Sequence, residues 1–240
     1  MNAKQIERIK ARIALACKIM YFEGMKEELG FEFAGHISVR TSANRFVMPG
    51  HLHHQFRGLF DLKAKDMIVV DLNGKVVTGN LDPVDEVVIH SCIYKARPEV
   101  NSVVHMHPPA ATALASTDQT IIPISIKSSF FDGSVPVLKR GPCLIDNDEI
   151  AYELVEKLGN HPAVIHKGHG IVTAGKNLEE ACLLAILLES SARSQILAKQ
   201  FGNLIPFEKN MIKEFNRKMK LAEHPEMWEY YERKWKLARI

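Results

Sequence analysis

The chain has 240 residues, of which 46% are hydrophobic and 25% are charged. That length and balance are typical of one globular domain with a substantial core. The formal net charge of +3 comes from 31 basic and 28 acidic residues. These residues are mixed along the chain, and this mixing argues against a nucleic-acid-binding surface.

The sequence also bears on location. No apolar run approaches the roughly 20 residues that span a bilayer, so no membrane partner is expected. The charged start, MNAKQIERIK, is unlike a signal peptide. Cys17, Cys92, Cys143 and Cys182 are scattered without a CxxC pair. This spacing predicts free thiols and a reducing, cytoplasmic location.

In the first half of the chain, apolar residues at helical spacing predict an opening helix, and short β-rich runs predict strands. The predicted elements are a helix over 3–23, strands over 36–40, 45–49 and 67–70, and a helix over 84–96. A histidine-rich loop covers 50–60, and Asp71-Leu72-Asn73-Gly74 is predicted to form a hairpin turn.

The second half alternates strands and helices. The predicted strands cover 100–106, 120–125, 134–138, 163–166 and 171–174. A helix opens at Pro108-Pro109, and further helices cover 147–158 and 177–200, with a charged helical remainder. Asn177, followed three residues later by Glu180, is typical of a capped helix start. The pattern predicts one α/β domain with a largely antiparallel central sheet covered by helices.

His105-Met106-His107 is the clearest chemical motif. Alternate side chains of a strand lie on the same face, so the two imidazoles project together. Such a pair suits a Zn, Mn, Fe or Co ion. His169 adds a third imidazole between Gly168 and Gly170, where glycine permits a tight turn.

Glu86 lies near the start of the helix that precedes the His105 strand. A carboxylate at that position is a candidate fourth ligand or a general base. It is also the kind of charge that a helix N-terminus favours without any catalytic role.

In this order and context, Glu86, His105, His107 and His169 resemble the class II aldolase/adducin-head superfamily. The supporting context runs from the opening helix to about residue 200 and includes Gly35-His36-Ile37-Ser38-Val39-Arg40. The resemblance implies a three-layer αβα sandwich spanning residues 1–240, with a helical extension from about residue 205. It also implies one divalent ion per subunit on the three histidines and an acid/base role for Glu86.

The resemblance further implies a homo-oligomer, commonly a tetramer, with sites at subunit interfaces. The aromatic residues of the C-terminal segment, among them Trp228 and Trp235, lead us to expect that this segment lies near a neighbouring subunit's site.

The positions that hold phosphate in sugar-phosphate members of the family read differently in this chain. They include His36 and Val84-Asp85, which offer no small hydroxyl donors. The sequence therefore predicts a carboxylate substrate. Its candidate partners are His36, His53, His54, Arg57 and Lys127, with Phe130-Phe131 flanking a flat ring.

The resulting hypothesis is a metal-dependent carbon–carbon lyase that acts through a metal-stabilised enolate or enediolate. It would decarboxylate a small hydroxy- or oxo-carboxylic acid, a class that includes aromatic acids. A sugar-phosphate aldolase or epimerase is the first alternative. A metal-free, adducin-like interaction module is the second.

Overall fold

The computed structural model describes residues 1–26, 35–52, 57–141 and 143–238. His53 and His54, two of the predicted substrate partners, lie outside these ranges.

Eight strands in the described ranges form one sheet. They are β1 (His36–Ser42), β2 (Arg45–Pro49), β3 (Met67–Asp71), β4 (Val76–Thr78), β5 (Ser102–Met106), β6 (Val137–Leu138), β7 (Ala163–His166) and β8 (Gly170–Gly175). Their order across the sheet is β4-β3-β2-β1-β5-β8-β7-β6. Every neighbouring pair is antiparallel except β6 and β7, which are parallel. The predicted α/β fold with a largely antiparallel sheet is confirmed.

The described ranges also contain eight α-helices. They are α1 (Ala3–Phe22), α2 (Val87–Ala96), α3 (Pro109–Ala115), α4 (Ile126–Ser129), α5 (Asp148–Leu158), α6 (Leu178–Lys199), α7 (Lys209–Lys218) and α8 (Pro225–Leu237). Asn177 caps α6 as predicted, because its side chain accepts the N–H of Glu180 at 2.8 Å. The Glu180 carboxylate accepts the N–H of Lys176, one residue before the cap.

The core has two parts, one on each face of the sheet. Successive residues of a strand point to opposite faces. Accordingly, Val104 packs in a cluster with α1, α3 and α6, whereas Val103 packs in a second cluster with α2 and α5. The sheet therefore lies between two helical layers, and α2 covers the face toward which His105 points.

Helix α6 is long and apolar enough, by length and composition alone, to cross a membrane. In the structure it is a core helix, with twelve buried residues that include Glu189 and Gln195. The Glu189 carboxylate accepts the N–H groups of Ala110 and Ala111 at the start of α3. It thereby anchors the chain three residues after His107.

The prediction of a strand over 120–125 is wrong. This run pairs with a side chain of α6 instead: Gln195 accepts the N–H of Ile122 and donates to the carbonyl of Thr120. Pro123, which lacks an N–H, also weakens any strand ladder there. The strand predicted over 134–138 is reduced to Val137–Leu138, after Pro136.

The C-terminal aromatic residues are packed more tightly than the sequence suggested. Trp228 is buried, and Trp235 lies against Phe22 with ring centroids 4.7 Å apart. Much of the aromatic surface assigned to a subunit interface is therefore used inside the chain. The two most exposed large apolar side chains of the described residues, Phe201 and Ile205, lie just beyond the end of α6 and are each 84% exposed.

Candidate metal centre

The sheet brings the predicted residues together at one end of its central strands. The β1–β5 register places His36 opposite His105, and β8 pairs with the other side of β5. His107 follows the end of β5, and His169 occupies the turn between β7 and β8. Glu86 is the N-cap residue of α2, on the face that His105 shares.

The three histidines meet through the same ring atom. Nε2 of His105 lies 3.2 Å from Nε2 of His169 and 3.0 Å from Nε2 of His107. Oε2 of Glu86 is 3.2 Å from Nε2 of His105, and its Oε1 is 3.4 Å from Nε2 of His169. One donor atom from each of the four residues lies within 4.8 Å of all the others.

Backbone carbonyls fix the tautomers of two of these rings. Nδ1 of His105 lies 3.0 Å from the carbonyl oxygen of Ile171, and Nδ1 of His169 lies 2.9 Å from that of Cys143. A carbonyl only accepts, so each Nδ1 carries the proton and each Nε2 presents a lone pair. Neither ring can donate to the other across the 3.2 Å contact. Two lone pairs that face each other at this distance repel, and a cation bound between them removes the repulsion.

The charge states of the four groups also suit a cation. Burial opposes ionisation of Glu86, but the adjacent imidazoles outweigh burial and hold the pKa of the carboxyl well below its usual value. Burial lowers the pKa of His105 to about 4, against the opposing effect of Glu86. Burial likewise lowers the pKa of His107 well below its usual value. At neutral pH the cluster therefore offers an anionic carboxylate and neutral imidazoles, the forms that bind metals.

The spacing also fits a divalent ion. Two nitrogens bound to a tetrahedral zinc at about 2.0–2.1 Å lie about 3.3 Å apart. The 3.0 and 3.2 Å separations between the imidazole nitrogens are close to this value. The donor set of three imidazoles and one carboxylate matches zinc and the other first-row divalent ions.

Gly170 allows the strands to approach closely at this point. A Cβ at Gly170 would lie 2.5 Å from the carbonyl oxygen of Met106 and 2.6 Å from Cδ2 of His107. Any side chain there would displace the ring of His107. The preceding Gly168 has φ of 68°, so it supplies the left-handed conformation that the predicted turn requires.

The predicted substrate partners differ in how close they lie to the cluster and in which groups they contact. His36 is buried beside Glu86, with its Nε2 3.7 Å from Oε2. The guanidinium of Arg57 faces protein carboxylates: both its terminal nitrogens bond Asp66, and its Nε bonds Asp61. Arg57 is therefore not a free carboxylate receptor.

Lys127 and the two phenylalanines also have partners within the chain. Lys127 is exposed on α4 and bonds Ser190 of α6 at 2.7 Å. Phe131 is buried in the core, and Phe130 packs on Phe215. The expectation that the phenylalanines flank a flat substrate is not supported by this packing.

Two further histidines were missed from the sequence. His90 is fully buried behind His36, with Nε2 2.6 Å from Nδ1 of His36. His166, at the end of β7, is buried and stacks on His169 with ring centroids 4.9 Å apart. His90 lies four residues after Glu86, so helical spacing places the two side chains on one face of α2. A single histidine in a helix does not by itself indicate a functional site, and His90 was therefore not selected from the sequence.

We expect His105→Ala, His107→Ala and His169→Ala each to lose bound metal, because removing one ligand lowers metal affinity steeply. Gly170→Ala should do the same by displacing the His107 ring, although it removes no ligand. Metal content per folded chain, measured by elemental analysis after dialysis, checks both expectations. His224→Ala is the matched control, since its ring bonds Glu226 away from the cluster. Full occupancy in any histidine variant would remove that residue from the site.

Comparison with known proteins agrees with the architecture. The family model described as Class II Aldolase and Adducin N-terminal domain matches residues 11–196. A 3,4-dihydroxyphthalate decarboxylase from Arthrobacter keyseri is 33% identical over 206 residues, covering 80% of this chain and 79% of that protein. An L-fuculose phosphate aldolase from Methanococcus maripaludis is 28% identical over 159 residues, covering 66% and 82%.

Among solved structures, the L-fuculose 1-phosphate aldolase from Glaciozyma antarctica PI12 superposes with a TM-score of 0.79 at 24% identity. The match covers 95% of this chain and 88% of that one. At this identity the likeness shows the fold alone. The family match covers both faces of the sheet and all four clustered residues, and the relatives are decarboxylases, aldolases and epimerases, which is consistent with a metal-dependent lyase. The chain therefore belongs to the class II aldolase and adducin N-terminal domain family.

Proposed function

We propose that this enzyme is a divalent-metal-dependent decarboxylase of a small hydroxylated carboxylic acid, with an aromatic dihydroxy acid as the favoured substrate class. The convergence of three imidazole nitrogens and the Glu86 carboxylate carries the proposal of metal-assisted carbon–carbon cleavage. The choice of decarboxylation is supported by the 33% identity, over 80% of this chain, to a 3,4-dihydroxyphthalate decarboxylase.

A divalent ion held by His105, His107 and His169 would supply a Lewis acid that stabilises negative charge on substrate oxygens. Zinc and manganese are the favoured candidates. The proton transfers fall to Glu86. Because its carboxylate is ionised at neutral pH, Glu86 first accepts a proton from a substrate hydroxyl through Oε2.

The second stage of the reaction is the loss of carbon dioxide. The bond between the substrate carbon and its carboxylate breaks, carbon dioxide leaves, and the electron pair stays on that carbon. Glu86 delivers its proton to the same carbon and returns to the ionised form, and the substrate oxygen regains a proton from solvent, so that the net change is replacement of carbon dioxide by one proton. The backbone N–H of Ile145 donates to Oε1 at 2.9 Å, which leaves Oε2 as the oxygen that moves the proton.

Cleavage of a sugar phosphate is the second candidate, supported by the 28% identity to an L-fuculose phosphate aldolase. A phosphate dianion needs several converging donors. At the positions where the resemblance would place them, Val84 is buried and apolar and Asp85 is an exposed acid. This composition favours a carboxylate over a phosphate. A metal-free interaction module is disfavoured, because the chain retains the four donor groups.

We further propose that the catalytic domain occupies the whole chain, with the helices after about residue 205 as an extension beyond the family match. A cytoplasmic location is supported by the thiols. Cys17, Cys92 and Cys182 are buried and free, and burial raises the pKa of Cys92 to about 11, so these thiols stay protonated and unreactive.

The proposed reaction is tested by supplying 3,4-dihydroxyphthalate and L-fuculose 1-phosphate separately and measuring carbon dioxide and aldehyde release. We expect carbon dioxide from the first and no aldehyde from the second. Glu86→Gln should keep the metal and lower kcat by roughly 10²–10⁴, the usual contribution of a general acid/base, because an amide cannot exchange the proton. Efficient cleavage of the sugar phosphate would refute the assignment.

Asp85→Asn is the matched control for Glu86→Gln, because it neutralises the adjacent, exposed carboxylate. Its turnover should match that of the wild type. A loss of turnover in Asp85→Asn as large as in Glu86→Gln would show that local charge, and not proton transfer by Glu86, limits the rate.

We propose that the enzyme works as a homotetramer whose subunits meet over the end of α6. A groove of about 460 Å³ there is lined by Pro109, Ala110, Ile196 and Leu197, among others. Ile196 and Leu197 are 37% and 57% exposed, and contiguous exposed apolar side chains mark interaction surfaces. Because Pro109 follows His107 by two residues, a neighbouring subunit in this groove would lie close to the metal centre.

Leu197→Asp places a charge in the groove and should shift the tetramer toward smaller species, since a buried unpaired charge is costly. Light scattering at micromolar concentration measures the change. Leu237→Asp is the control, because that side chain is also exposed but lies at the end of α8. A fully active wild-type monomer would contradict the proposal.

A further inference from the structure

Polar side chains form a ladder between β1 and α2, behind the metal centre. His36 and Ser38 are two residues apart and lie on the same face of β1. Helix α2 carries three polar side chains at intervals of four residues, Glu86, His90 and Tyr94. Two strand residues advance about 6.8 Å and four helix residues about 6 Å, so the two series stay in step. All five side chains are buried, with exposed fractions of 7% or less.

Short contacts link these side chains into a chain that leads to Glu86. The hydroxyl of Tyr94 lies 2.7 Å from Oγ of Ser38, and that oxygen lies 2.6 Å from Nδ1 of His90. Nε2 of His90 lies 2.6 Å from Nδ1 of His36. Nε2 of His36 then faces Oε2 of Glu86 at 3.7 Å, within ion-pair range and longer than a hydrogen bond.

The donor and acceptor in each of these hydrogen bonds follow from the protonation of Tyr94, at the far end of the chain, and of His90, in its middle. Burial raises the pKa of Tyr94, so the phenol keeps its proton. Among the described side chains, Ser38 is the hydrogen-bond partner of that phenol. Burial lowers the pKa of His90 well below its usual value, so His90 is neutral and carries one N–H.

Tyr94 then donates to Ser38, Ser38 donates to Nδ1 of His90, and Nε2–H of His90 donates to Nδ1 of His36. The proton of His36 is left on Nε2, which faces Glu86. The reverse direction would leave the phenol proton of Tyr94 without that acceptor.

We propose that Tyr94, Ser38 and His90 are positioning residues that hold His36 in its Nε2–H tautomer, with that N–H directed at the carboxylate of Glu86. A protonated Nε2 has no lone pair, so His36 is not a further metal ligand although its ring centroid lies 4.9 Å from that of His105. The donor orients Oε2 of Glu86 for proton transfer. Its effect on turnover rests on the proposed function, whereas the tautomer does not.

The tautomer is measured directly by nitrogen NMR of histidine-labelled, zinc-loaded enzyme, with His36→Gln identifying the signals. We expect a protonated Nε2 and an unprotonated Nδ1 on His36. A proton on Nδ1 overturns the proposal, whatever reaction the enzyme catalyses. Failure to release carbon dioxide from an aromatic acid, with the expected tautomer present, would count against the proposed function alone.

Measurements of kcat and KM with a substrate that the enzyme turns over distinguish a positioning role of His90 from a purely structural one. His90→Leu removes both hydrogen bonds and should lower kcat roughly ten- to a hundredfold, the equivalent of one hydrogen bond to a charged group. KM and metal content should stay unchanged. His90→Gln restores an acceptor and a donor and should recover most of kcat.

Ser91→Ala is the matched control, since Ser91 is a buried neighbour on α2 whose hydroxyl donates to the carbonyls of Val87 and Val88 in its own helix. It should behave as the wild type. Wild-type kcat in folded His90→Leu, or equal losses in His90→Leu and His90→Gln, would overturn the positioning role. Should His90→Leu not fold, Ser38→Ala breaks the same chain at its next link, with the same expected loss of kcat.

Discussion

Nε2 of His105 lies 3.0 Å from Nε2 of His107 and 3.2 Å from that of His169, and carbonyl groups hold the protons of His105 and His169 on the opposite ring nitrogen. Lone pairs at that distance repel each other, and the buried Glu86 carboxylate adds a negative charge. Such an arrangement becomes favourable when a divalent cation occupies the centre. The requirement explains why the rings of His105 and His169 have fixed tautomers and why the carboxylate is deprotonated.

The fold meets this requirement with rigid elements. His105 is fixed by ladder bonds on both sides of β5, and His169 by a turn between two paired strands. Gly170 removes the side chain that would push the ring of His107 away. Helix α2 then serves twice, because its first turn delivers Glu86 and its later turns carry His90 and Tyr94 to β1. The metal ligands and the groups behind Glu86 thus depend on the same sheet–helix contact.

Much of this centre could be predicted from sequence, because local rules place its parts. Strand alternation put His105 and His107 on one face, and glycines on both sides of His169 indicated a tight turn. The pairing of Arg57 with Asp66 was not predicted, because the two residues are nine apart and their contact depends on how the intervening segment folds. The run 120–125 has β-rich composition, but its backbone pairs with the side chain of Gln195, more than seventy residues later, and with the N–H groups of Val135 and Phe207. The ladder of His36 and His90 was hidden because it joins a strand pattern to a helix pattern.

Binding of one divalent ion by the three imidazoles, beside the Glu86 carboxylate, is tested by zinc-edge X-ray absorption of enzyme loaded with one zinc per chain. The account predicts nitrogen and oxygen ligands at about 2.0–2.1 Å, with outer-shell scattering from three imidazole rings. Cys143 supplies the discriminating alternative, since its carbonyl already contacts His169. A sulfur ligand at about 2.3 Å, or a shell without imidazole scattering, would contradict the account.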